Sequence, residues 1–131
     1  MTLRIWIILA WISLPTVMYG GYALLRLAGK NGALTPFQIT WFRAGHAHAG
    51  VLLLMSLLYY LFLDGTPLPM AIKHAACAAL ALGIVAQSGG FFVHMMVGQP
   101  GKWSIGNTIT AIGALLLIAA IAVLIYGLIV T

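Results

Sequence analysis

Four apolar runs, each long enough to cross a bilayer, dominate the sequence. The hydrocarbon core of a membrane is about 30 Å thick and a helical residue rises about 1.5 Å, so about 20 apolar residues span it. The runs extend from about Ile5 to Leu27, Ile39 to Leu63, Met70 to Val97 and Ile105 to Val130. The breaks between them carry turn chemistry: Gly29-Lys30-Asn31-Gly32 with Pro36, then Asp64-Gly65-Thr66-Pro67-Leu68-Pro69, then Gly98-Gln99-Pro100-Gly101-Lys102. Loops this short make successive helices antiparallel neighbours. Backbone groups in lipid must be satisfied within the segment, which favours helices, and the runs are too long and continuous for barrel strands. The expected architecture is an all-α integral membrane protein, an up-down antiparallel four-helix bundle forming a single domain over residues 1–131.

Composition narrows the classes further. Hydrophobic residues make up 63% and charged residues 5% of the chain, against about 25% charged in an ordinary soluble domain. Seven charges cannot coat a soluble surface of this size. A disordered chain would need the opposite balance. The net charge of +5 reflects missing acids and not a basic cluster, so no nucleic-acid partner is expected. Cys77 stands alone in an apolar run, which excludes an intrachain disulfide and a thiolate metal cluster. The start, with Arg4 before an apolar stretch, resembles a signal peptide. The apolar run continues past Pro15 to Leu27 without a clean small-residue cleavage site, so it reads as a first span kinked at Pro15.

Orientation follows from cations in short loops. Arg26, Lys30, Arg43 and Lys102 fall on one side, and Arg4 and Lys73 on the side of both termini. This places the termini outside and suits a bacterial inner membrane. Trp6, Tyr59, Tyr60 and Tyr126 fit one aromatic belt, and Tyr22, Trp41 and Trp103 the other. Glycines and alanines crowd the third span, and Gly106, Ala111, Gly113 and Ala114 mark the fourth, as close packing in lipid requires. Four helices enclose little interior, which points to a homo-oligomer.

Ionisable residues inside spans are functional candidates. The second span opens Trp41-Phe42-Arg43-Ala44-Gly45-His46-Ala47-His48-Ala49-Gly50. The third carries Lys73 and His74 at one end and Gln87, Ser88 and His94 toward the other; Asn107, Thr108 and Thr110 open the fourth. Antiparallel topology puts Arg43, His46, His48, His94 and Asn107 in one half of the bilayer, with Gln87 nearer the middle. His74 reads as a solvated interfacial residue. Successive helical residues turn about 100°, so His46 and His48 lie about 200° apart and cannot chelate one ion from one face. One would point into its own bundle and the other toward a neighbouring subunit.

Neutral imidazole ligates iron, copper or zinc, and ligates haem through one nitrogen while a neighbour holds the other. Arg43 would suit a propionate or a substrate anion. Gly45 and Gly50 remove bulk beside the histidines, which would let a flat macrocycle approach. Acid-pair chemistry lacks carboxylates, because Asp64 is the only acid and lies in a loop. Calcium and magnesium lack oxygen ligands. Two other readings remain: an electron carrier using His46 or His48 together with His94, and an accessory subunit whose histidines only bond between helices.

The four-span layout and the run from Trp41 to Gly50 resemble the small membrane proteins around styrene oxide isomerase and hydroxylaminobenzene mutase. That resemblance implies a trimer binding haem b through a second-span histidine, the ferric iron acting as Lewis acid on a small apolar substrate. His48 with Gly50 matches the histidine-x-glycine ligand pattern, and His46 is nearer when measured from the Trp-x-Arg-Ala run. Gln87 and His94 stand roughly where the isomerase carries an acidic residue and a tyrosine. With Asn107 they are the residues expected to orient substrate. Leu54-Met55 occupy the place of an Asn-Gly pair in that group.

Overall fold

The computed structural model describes residues 2–130. It contains four helices: α1 (Arg4–Ala28), α2 (Pro36–Asp64), α3 (Met70–Val97) and α4 (Ile105–Ile129). All four are long and apolar enough to cross a membrane. They pack as a four-helix membrane bundle in chain order, α1 on α2, α2 on α3 and α3 on α4, with a lighter contact of α2 on α4. Their outer surfaces are apolar, as at Ile12, Leu25, Val85, Leu115 and Ile129, which suits lipid and would be untenable in water.

Two helix starts follow from local sequence. Thr35 accepts from the Gln38 backbone N–H at 3.2 Å, and the Gln38 side-chain oxygen accepts from the Thr35 N–H at 2.9 Å. This capping box satisfies two donors that a helix end would otherwise leave bare. It starts α2 at Pro36, three residues before the apolar run suggests. Ser104 and Asn107 form the same device at α4, with Ser104 N–H donating to Asn107 Oδ1 at 3.0 Å. The turn before α4 depends on Gly101. Lys102 N–H donates to Gln99 O at 3.1 Å across Pro100 and Gly101, with Gly101 at φ +72°. Such a type II turn needs a residue tolerant of positive φ.

The α3–α4 seam is the tightest contact. A Cβ on Gly90 would fall on Thr110 Oγ1, and one on Gly113 would fall on the Gln87 backbone nitrogen. A Cβ on Gly83 would stand 2.9 Å from Leu117. Thr110 Oγ1 donates to Gln87 O at 3.3 Å across this seam. Small residues thus let two backbones touch, and dispersion and a hydrogen bond hold them where lipid supplies no hydrophobic drive.

Two expectations change. Tyr59 and Tyr60 are buried and not in a belt, because the Tyr59 hydroxyl donates to Ala120 O on α4 at 2.7 Å. Tyr22, Trp103 and Tyr126 are exposed, as a belt requires. His74 is not solvated. Its Nδ1 accepts from Trp6 Nε1–H at 3.0 Å, tying α1 to α3, and its Nε2 is the one buried side-chain nitrogen or oxygen without a partner among the described residues. Pro15, the expected kink position, lies inside the single helix α1.

Candidate functional site

The two histidines of α2 face different neighbours, as their angular separation requires. His46 lies against α1. A Cβ on Gly20 would stand 3.3 Å from its Nδ1, and one on Gly21 would stand 3.1 Å from its Nε2. The glycine pair gives the imidazole its place. His48 instead packs toward α3, its ring 4.8 Å from that of Phe91.

The tautomer of His48 follows from its partner. Its Nδ1 lies 2.8 Å from Ala44 O. A carbonyl oxygen only accepts, so Nδ1 carries the proton and Nε2 keeps its lone pair. No hydrogen bond engages Nε2, and it is not a buried atom, so it reaches the surface of the chain. There His48 borders a groove of about 200 Å³ with Ala47, Val51 and Leu52. Arg43 is exposed one turn before Ala47, and Val51 is exposed one turn after it. Arg43, Ala47 and Val51 therefore form an outward stripe beside the imidazole. Ala44, Ala47 and Val51 carry no polar side chain, so no ionisable-residue signal could have marked them.

The glycines do other work. The space beside Gly45 is filled by Phe92, whose Cε2 would be 3.0 Å from a Cβ there. Gly50 faces Val17 of α1 at an ordinary 3.5 Å. Neither opens onto the His48 groove.

His94 belongs to a second cleft. Its side chain is 3% exposed, and its Nδ1 lies 2.7 Å from Ser104 Oγ. The Trp41 ring stands edge-on to it at 4.2 Å and the Phe37 ring at 5.3 Å. Gly98 makes room for the imidazole, since a Cβ there would lie 2.6 Å from Cε1. The cleft, of about 490 Å³, is lined by Phe37, Trp41, His94, Lys102, Trp103 and Asn107 among others. His94 and Asn107 are thus brought together. The Gln87 backbone engages α4, and its side chain does not line this cleft. His48 and His94 are linked in series by rings, His48 on Phe91, Phe91 on Trp41 and Trp41 on His94. Among the described residues no three His, Cys, Asp or Glu side chains gather to hold a metal ion. Lys102, Trp103 and Ser104 come to His94 or its cleft from the loop, where no in-span polar signal marks them. The Ser-x-x-Asn spacing of the α4 cap was their available signal.

No protein-family model, curated protein or solved structure matches the chain.

Proposed function

We propose that this is an oligomeric haem b-binding membrane protein whose axial ligand is His48. The observation that carries the reading is the hold on its imidazole. Ala44 O fixes Nδ1–H at 2.8 Å, which leaves Nε2 unprotonated, and His48 lines an apolar outward groove. This is the arrangement a histidine needs to ligate a metal through its other nitrogen. Arg43 on the same outward stripe suits a propionate. His46 ranks second because its ring is seated against the α1 glycine pair.

The groove also argues for a partner copy. At about 200 Å³ it is smaller than the roughly 300–1,000 Å³ of sites that enclose a cofactor-sized ligand. One chain supplies a wall, and a second copy of the chain would supply the facing one. The resemblance of the α2 motif makes a trimer the first arrangement to test. The cation distribution supports a bacterial inner membrane with both termini outside.

When bound, a haem with one histidine ligand supplies an iron that polarises oxygen, as an isomerase of small apolar substrates requires. The chain's own residues hold the imidazole, neutralise an acidic edge and exclude water with Val51 and Leu52. The test is an absorption spectrum of the protein purified from haem-supplied cells. A Soret band that is lost in His48→Ala, restored there by added imidazole and kept in His46→Ala is the expected result. A native protein without a Soret band would sink the reading. A six-coordinate spectrum that collapses in His94→Ala would replace the isomerase with a two-histidine carrier.

A further inference from the structure

The second cleft does not depend on haem, and its chemistry is of another kind. Asn107, Lys102 and His94 bring polar heads to it, beside the indoles of Trp41 and Trp103. Asn107 turns its Oδ1 back to the Ser104 N–H at 3.0 Å, which leaves its amide N–H groups for the cleft. Lys102 is exposed at the mouth. His94 is nine-tenths and more buried, yet its Nε2 has no partner and is not a buried atom. The Ser104 hydroxyl donates to Asn107 Oδ1 at 3.3 Å and lies 2.7 Å from His94 Nδ1. His94 Nδ1 shares that hydroxyl, and its Nε2 stays open to a further partner.

A cation, amide and indole donors and no carboxylate in the lining describe a receptor for an anion. The wider charge distribution agrees. Arg26, Lys30, Arg43 and Lys102 share this side of the bundle, while Asp64, the chain's one acid, lies in the opposite loop. The floor is aromatic, from Phe37 and Trp41, and Trp103 is 73% exposed at the rim. The cleft sits where the 98–104 turn meets the first turns of α2 and α4, which is headgroup depth for helices that span a bilayer. We infer that the cleft of Trp41, His94, Lys102 and Asn107 binds the phosphate headgroup of an anionic phospholipid. Basic pockets between spans are suited to such headgroups.

The test titrates the purified full chain in detergent with phosphatidylglycerol, and separately with phosphatidylcholine of the same acyl chains and with inorganic phosphate, reading bound lipid by native mass spectrometry. The expected result is retention of phosphatidylglycerol over phosphatidylcholine. Lys102→Gln should weaken that retention about fivefold, the worth of one cation at a membrane surface. Asn107→Asp keeps the cap acceptor but replaces the amide donors with a negative oxygen, and it should weaken retention about tenfold or more. Arg26→Gln and Lys30→Gln, cations on the same side outside the cleft, should leave it unchanged. Equal retention of the two lipids would overturn the inference. So would an equal loss in Arg26→Gln, which would mean diffuse surface charge. Inorganic phosphate binding as well as the lipid, and lost in the same variants, would make this a soluble-anion site instead. Both variants alter exposed or half-buried side chains, and an unchanged helical circular dichroism spectrum separates lost binding from lost folding.

Discussion

The α3–α4 seam and the α1–α2 contact join helices of similar length and apolarity, and both contain glycines. At the seam Gly90, Gly106 and Gly113 come up against backbone of the facing helix, and Gly83 meets the Leu117 side chain as well as Gly113 O. At α1 the glycines meet side chains: Gly20 and Gly21 face His46, and Gly50 faces Val17. The first contact is a fit between two rigid surfaces. The second is a slot occupied by groups that can move. In lipid, where apolar burial drives nothing, this difference decides which helix pair is fixed and which is adjustable. The His48 groove lies on the adjustable side of α2, while the His94 cleft sits at the loop end of the tight seam.

The largest effect is expected from Gly90→Ala, because the new methyl meets backbone and a held hydroxyl with nowhere to yield. It should destabilise the protein by about 3 kcal/mol, at the upper end of overpacking costs, measured by unfolding in a mixed-micelle denaturant titration. Trp6→Phe comes next. It removes the donor to His74 Nδ1 and should cost about 1 kcal/mol in the same titration. Gly50→Ala should be the mildest, within about 0.5 kcal/mol, since its added Cβ makes only ordinary contact. A Gly50→Ala cost equal to that of Gly90→Ala would remove the distinction between the two contacts.

The spans were legible because hydropathy acts over twenty residues and does not depend on tertiary detail. The start of α2 was less so. Gln38 and Thr40 dilute the apolar run there, although Thr35 and Gln38 stand at capping-box spacing. The divergence of His46 and His48 was readable from helix geometry alone, but what each faces was not. Nothing in the sequence says that Gly20 and Gly21 meet His46 or that Phe92 fills the space at Gly45. The tyrosines show the same limit. Position alone places Tyr59 and Tyr60 in a belt, and only the register of α2 on α4 reveals that Ala120 O accepts from Tyr59. For His94, the partner Ser104 is ten residues away across a turn whose shape depends on Gly101. Local pattern carries the elements, while pairings across helices decide the roles of their polar groups.

The placement of α1 has a consequence for motion. Helical packing fixes it along α2, and the Trp6–His74 bond pins one end of it to α3. Between α1 and α3 lies a cavity of about 260 Å³ reaching from Trp6 to Ser88. Opening events start in elements with the fewest cooperative contacts. α1 is therefore the helix with the fewest ties in the bundle, and a displacement of it would open this cavity to lipid while leaving the α3–α4 seam intact.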